Sequence, residues 1–203
     1  MPKIGQFASR LQEMADGLMR EFWIFGYGSL MWRPGFPYQR ALPARLWGYH
    51  RSLCIYSLVH RGTPERPGLV LGLDHGGSCR GVAFAVADAD IDAVLAYLRA
   101  RELVTSVYLE KSCTVRLLDG NDRAVSAVCY VADGRHEQYA GKLSDEAVLA
   151  HVEQGRGGYG DNRDYVIATQ NHLVELGIHD PQLSWLTDRL RQRGYDPAGS
   201  ADT

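Results

Sequence analysis

A turn, Gly26-Tyr27-Gly28-Ser29-Leu30, follows directly on the apolar run Phe22-Trp23-Ile24-Phe25. Two glycines bracketing a tyrosine at a strand end can aim consecutive backbone N–H groups into one concavity, which then binds a carboxylate or an oxyanion. Ser29 would add a hydroxyl donor. The same residues also suit an ordinary tight turn. A second candidate is Glu102, just past the helical segment that ends in Arg99-Ala100-Arg101. Negative charge is disfavoured at a helix C-terminus, which would raise this carboxyl toward the range a general acid/base uses. The neighbouring arginines act in the opposite sense, so the net direction stays open, and a solvated surface carboxylate is the plain alternative. The third candidate, Gly155-Arg156-Gly157-Gly158-Tyr159-Gly160, has the spacing G-x-G-x-x-G, with Asp180 about twenty residues further on. A dinucleotide site needs a strand before that loop, whereas the segment preceding it is helical in pattern, so this reading is set aside. The loop remains either a connector between helices or a source of N–H groups for a carboxylate.

Other chemistry finds less support. The seven histidines are scattered, with no pair at metal-ligand spacing, so neither a metal nor another cofactor is expected. Ser29 lies outside any G-x-S-x-G elbow, which leaves a hydrolase triad without support. Cys54, Cys79, Cys113 and Cys129 form no C-x-x-C pair. If a hairpin is centred near Asn121, Cys113 and Cys129 lie opposite each other, and a disulfide is geometrically conceivable. With no secretion signal, reduced and mostly buried thiols are the expectation. The charge-dense loop from His60 to Gly68 (HRGTPERPG) reads equally well as solvated or as functional.

These residues must be positioned by a framework of strands followed by helices. Ile4, Phe7, Leu11, Met14 and Leu18 predict an amphipathic helix over 4–20. Strands are expected at Phe22–Phe25, within Arg45–His60, at Leu69–Leu73 and at Arg80–Val86, with a turn at His75-Gly76-Gly77-Ser78. A helix over Asp88–Arg101 precedes a hairpin of Cys113–Leu118 with Ala124–Val131. Ser144, Asp161 and Gly177 mark the ends of helices near 144–153 and 162–176, and a last helix covers Pro181–Arg193. The tail from Gly194 is expected to be poorly ordered. Strands dominate the first two thirds and helices the rest, so the class is α+β in one domain spanning 1–203. Short strands that are apolar on two sides suit a small barrel or a strongly curled sheet.

The chain has 203 residues, enough for one sizeable core. A formal net charge of −2 leaves no basic footprint, so no nucleic-acid partner is expected. No stretch is apolar enough for a signal peptide or membrane span, which points to a cytoplasmic protein without a membrane partner.

Taken in order, FGYGSLMWRPGF (25–36), GYHRSLC (48–54), HRGTPERPG (60–68), GGSCRGVAF (76–84), YLRARE (97–102) and GYGDNRDYV (158–166) resemble the ChaC-like family of glutathione-specific γ-glutamylcyclotransferases. The resemblance implies a small, strongly curled mixed β-barrel flanked by helices, with its site at the YGSL turn. It implies that Tyr27, Gly28, Ser29 and Leu30 bind the γ-glutamyl part of glutathione, that Glu102 is the acid/base, and that Tyr165 contacts the substrate. Arg33 or Arg61 would hold the glycine carboxylate, since an arginine fork suits a carboxylate. One departure is visible: similar sequences often carry glycine in the loop after the Arg-Glu pair, where this chain has Thr105-Ser106. A cyclotransferase for other γ-glutamyl compounds and a non-catalytic glutathione-binding module are the rival functions.

Overall fold

The computed structural model describes residues 21–103, 106–121 and 123–195. Strand β1 (Phe22–Gly26) is apolar throughout because both of its faces are covered. Trp23 and Phe25 pack in one cluster with Leu46, Val115, Leu117 and Val131, on the inside of the sheet. Ile24 points the other way, against Phe84, Val94 and Leu98, under helix α1 (Ile91–Glu102). The remaining strands are β2 (Arg40–Ser57), β3 (Gly68–Val86), β4 (Tyr108–Leu117) and β5 (Ala124–Ala132), and the five close into a barrel of order β1-β3-β2-β4-β5. Closure is mixed: β1 runs antiparallel to β3, pairing Ile24 with Phe84, and parallel to β5, pairing Trp23 with Ala127. A small mixed barrel with flanking helices is therefore the fold.

β2 and β3 are longer than the sequence patterns suggested. The turn expected at His75–Ser78 is a bulge inside one continuous strand: Trp47 pairs with Ser78, the next pair is Tyr49 with His75, and Gly48, Gly76 and Gly77 take φ of 83°, 96° and 68°. Only glycine adopts that left-handed backbone freely, so the extra residue is absorbed without ending the strand. The β4–β5 hairpin pairs Arg116 with Ala124, Cys113 with Ala127 and Lys111 with Cys129. Its centre falls at Gly120, so the two cysteines are diagonal rather than opposed, and all four thiols are free.

Three helices complete the core: α2 (Asp145–Gln154), α3 (Asn162–Glu175) and α4 (Pro181–Gln192). Their N-caps Ser144, Asp161 and Asp180 accept hydrogen bonds from the N–H groups of Ala147, Arg163 and Leu183. Val148, Val152, Ile167, Leu173 and Leu186 join the barrel's own apolar cluster. Between α2 and α3 the glycine-rich loop forms a two-rung ribbon, Arg156–Gly157 with Gly160–Asp161. Its amides are spent, not offered to a ligand: Gly158 N–H donates to Val59 C=O at 2.7 Å and Tyr159 N–H to His60 C=O at 2.9 Å. The glycines permit this close docking, since a Cβ on Gly157 would stand 2.4 Å from Val59 O.

The first turn of α3 substitutes for a missing strand along β3. Leu69 N–H donates to Asn162 Oδ1 at 2.6 Å, and Asn162 Nδ2 donates back to Leu69 C=O at 2.8 Å. Two residues on, Leu71 N–H donates to the Tyr165 hydroxyl oxygen at 3.2 Å, while the Tyr108 hydroxyl donates to Leu71 C=O at 2.7 Å. Buried backbone groups are thereby satisfied by side chains, and two tyrosines are fixed over one spot of β3.

The helix expected over 4–20 lies outside the described residues, as does the tail beyond Tyr195. Tyr195 itself, expected in a loose tail, is packed: its hydroxyl donates to Asp164 at 2.6 Å and its ring stacks under Arg163. No helix among the described residues is long and apolar enough to cross a membrane.

Candidate active site

β1 ends at Gly26, and the chain turns through a short 3-10 segment, Ser29–Met31. That segment closes on Gly28 and Ser29: Met31 N–H donates to Gly28 C=O at 2.9 Å and Arg33 N–H to Ser29 C=O at 2.8 Å. None of the hydrogen bonds among the described residues uses the N–H of Gly28, Ser29 or Leu30. The side chain of Leu30 is buried in the cluster beneath α1, so its contribution to the turn's open side is backbone. This uncommitted set of amides forms one wall of a cleft of about 1140 Å³. The cleft is large enough for a tripeptide-sized ligand.

The same cleft is lined by Glu102, the final residue of α1 and not, as the sequence pattern had it, a residue beyond the helix. Its side chain is 19% exposed. Burial raises the carboxyl above its ordinary range, and the adjacent Arg101, whose Nε stands 3.2 Å from Glu102 Oε1, pulls it down by less. The net direction left open by sequence is therefore upward, and desolvation is its leading cause. Arg101 has further partners. Its Nη2 donates to Ser29 Oγ at 2.8 Å and its Nη1 to Arg33 C=O at 2.8 Å, so one guanidinium ties the YGSL turn to the end of α1. Ser29 accepts there with its oxygen and keeps its proton free to donate.

Three phenols complete the interior. Tyr27, Tyr108 and Tyr165 all line the cleft, and burial raises each above the ordinary tyrosine range, with the charge of Glu102 adding to the effect. At neutral pH they are uncharged hydrogen-bonding groups. Their polarities differ because of Leu71. Tyr165 accepts the Leu71 N–H, which leaves its own proton available. Tyr108 gives its proton to the Leu71 carbonyl, which leaves its oxygen available as an acceptor.

Arg61 also lines the cleft, half-buried. Its Nη1 donates to Tyr159 C=O at 2.6 Å, and its guanidinium lies over the Tyr165 ring at 5.4 Å. Arg33 is exposed at the rim. The charged loop from His60 to Gly68 thus divides: His60 and Arg61 face the cleft, and Glu65 is fully solvated. Ser106, in the loop after Glu102, takes φ 57°, a left-handed conformation that favours glycine. Among the described residues no group of three or more His, Cys, Asp or Glu side chains is placed to hold a metal ion.

All eight residues singled out from sequence, Tyr27, Gly28, Ser29, Leu30, Arg33, Arg61, Glu102 and Tyr165, line this one cleft. Sequence reasoning missed Tyr108, which sits six residues after Glu102 at the start of a strand, where an aromatic residue is ordinary core. It also treated Arg101 as a flanking charge, although the spacing of Arg101 beside Glu102 was visible.

The ChaC-like protein family matches residues 22–193. The glutathione-specific gamma-glutamylcyclotransferase of Escherichia coli K12 is 34% identical over 162 residues, covering 80% of this chain and 69% of that protein. The human glutathione-specific gamma-glutamylcyclotransferase 1 is 36% identical over 179 residues, covering 86% and 81%. Among solved structures, the yeast gamma-glutamyl cyclotransferase specific to glutathione superposes with a TM-score of 0.75 at 21% identity, covering 85% of this chain and 96% of that one.

Proposed function

We propose that this chain, which belongs to the ChaC-like family, cleaves glutathione into 5-oxoproline and cysteinylglycine, with Glu102 as its single acid/base. The observation that carries the reading is the buried, upward-shifted Glu102 lining the same cleft as the uncommitted backbone donors of the YGSL turn. The reaction needs little else. The glutamyl α-amine and γ-carbonyl belong to one residue, so ring closure is intramolecular and holding the folded conformer supplies much of the rate. At neutral pH the amine is an ammonium and no nucleophile. Glu102 takes one proton from the ammonium, the nitrogen attacks the γ-carbonyl carbon, and the C–N bond to cysteine breaks as Glu102 gives that proton to the departing nitrogen. The ring nitrogen sheds its second proton as the lactam forms, and the released cysteinyl amine takes up a proton to leave as an ammonium. The YGSL amides and the Ser29 hydroxyl hold the α-carboxylate or the oxyanion. The Tyr108 oxygen can accept from the ammonium, and the Tyr165 proton can be given to a substrate oxygen.

Arg61 suits the glycine carboxylate of glutathione better than Arg33, because it is half-buried and partly desolvated inside the cleft. Arg61→Ala should raise KM for glutathione about tenfold with kcat nearly unchanged, as loss of a charge-assisted hydrogen bond implies. Arg33→Ala should leave both constants close to wild type. Steady-state kinetics on the two variants checks this, and the reverse pattern would move the carboxylate to the rim.

The pH dependence follows from Glu102. In free enzyme it must be ionised to accept the ammonium proton, so kcat/KM falls as pH drops through its raised pKa. The acid limb should lie above the ordinary carboxylate range. Arg101 lowers that pKa, so Arg101→Gln should move the limb to higher pH. A limb that stays in place, or moves down, would mean that another group governs it.

The four free cysteines suit a reducing cytoplasm, where we place the protein. To test the function, purified protein is incubated separately with glutathione and γ-glutamyl-alanine, and 5-oxoproline is followed by chromatography. Release from glutathione alone supports the reading. Release only from γ-glutamyl-alanine transfers the same mechanism to another substrate, and release from neither leaves a binding module.

A further inference from the structure

Arg51, on β2, is not among the residues lining the cleft, yet its side chain is only 5% exposed and all three of its nitrogens are directed. Nε donates to Tyr27 C=O at 2.7 Å, Nη2 to Arg80 C=O at 2.7 Å, and Nη1 pairs with Asp180 Oδ2 at 3.3 Å. Asp180 is itself held, because its Oδ1 caps α4 by accepting from Leu183 N–H at 3.1 Å. One guanidinium is thus fixed on β3 and on the start of α4 through two of its nitrogens, and its third nitrogen is fixed on the carbonyl that opens the YGSL turn.

The segment from Gly76 to Gly81 acquires a purpose here that the reaction alone does not give it. Gly76 and Gly77 form the bulge, Arg80 supplies the second carbonyl, and Gly81 lets β3 approach the end of β1. A Cβ on Gly81 would stand 2.2 Å from Gly26 O and 2.8 Å from the Phe25 ring. The result brings the Arg80 and Tyr27 carbonyls within reach of the same cation.

The Tyr27 carbonyl is one end of the peptide whose other end is the Gly28 N–H, one of the uncommitted donors facing the cleft. Amide resonance links the two ends, so a charge-assisted bond to the oxygen makes the N–H a stronger donor. We propose that Arg51, locked by Asp180, is a positioning residue: it sets the orientation of the Tyr27–Gly28 peptide and strengthens Gly28 N–H as a donor to a substrate oxygen. What that donor does in turnover rests on the cyclotransferase reading; the contact itself does not.

The test uses Arg51→Lys, whose single ammonium cannot reproduce three divergent bonds, and Asp180→Asn, which keeps a capping oxygen and removes the charge. Arg193→Lys, in the peripheral pair with Glu153, is the control. Each protein is labelled with 15N-glycine and assayed on glutathione. In Arg51→Lys the Gly28 amide proton should move upfield while Gly177 and Gly194 stay, and kcat/KM should fall about tenfold or more. Asp180→Asn should move both readouts in the same direction by less, and Arg193→Lys should move neither. A fall in kcat assigns the donor to the oxyanion and a rise in KM to the carboxylate; either supports the role. An unmoved Gly28 resonance in folded Arg51→Lys, or activity within about twofold of wild type, overturns it. If wild type releases no 5-oxoproline, the cyclotransferase reading fails, and the Gly28 resonance alone decides the role of Arg51.

Discussion

Glu102→Gln should turn over glutathione at least about a hundredfold more slowly than wild type, while KM changes little. The amide has nearly the carboxylate's shape and keeps a hydrogen-bonding oxygen, so substrate still fits the cleft. What it loses is the capacity to take a proton from the ammonium, without which no nucleophile exists at neutral pH. The same substitution should not weaken the fold. Burial raises the Glu102 pKa in the folded state above its unfolded value, so the ionised carboxylate is a cost that grows as pH rises through the folded pKa. Below the unfolded pKa the group is protonated in both states and that cost vanishes. Glu102→Gln should therefore be as stable as wild type in acid and more stable near pH 8, measured by urea unfolding at both values. An inactive variant that is also destabilised near pH 8 would mean that Glu102 serves packing. A stable variant with near-normal kcat would remove it from the chemistry.

The contrast between Glu102 and its surroundings shows what a sequence carries and what it withholds. The YGSL turn was legible because its signal is local: glycines after an apolar strand, with a serine beside them. The caps Ser144, Asp161 and Asp180 lie within three residues of the N–H groups they satisfy. Glu102 was legible as a candidate but not in its direction, since burial and Arg101 oppose each other and only tertiary packing sets their balance. Tyr108 and Arg51 were not legible at all. Tyr108 bonds to Leu71 and Arg51 to Tyr27, Arg80 and Asp180, partners brought near by barrel closure and by α4. The Cys113–Cys129 register failed for a smaller reason. The hairpin centres on Gly120, whose φ of 89° suits the turn, and moving a hairpin's centre by one residue moves the cross-strand partner by two.

Asn162 joins stability to the site, and Asn162→Asp should be strongly destabilising although it is isosteric. Asn162 is fully buried, and its amide returns both hydrogen bonds of Leu69 as a neighbouring strand would. An aspartate can still accept the Leu69 N–H. Its second oxygen then faces the Leu69 carbonyl with no proton between them, so a donor is lost and an unpaired charge is buried in one step. The expected cost is about 2–4 kcal/mol, which lowers Tm by roughly 5–15 °C for a chain of this size. Burial raises the new carboxyl's pKa in the folded state, and when protonated it can donate to Leu69 again. The defect should therefore be largest near neutral pH and shrink as pH falls through that raised pKa. Asn121→Asp, in an exposed turn, makes the same charge change and should leave Tm nearly unaltered. Calorimetry of both variants at pH 5 and pH 8 checks the sign as well as the size. A loss that is independent of pH would show that shape, not the donated proton, is what Asn162 contributes. Because Leu71, two residues along the same edge, holds both Tyr108 and Tyr165, the surviving folded enzyme should also show reduced kcat/KM, so the bond that seals β3 also sets the site.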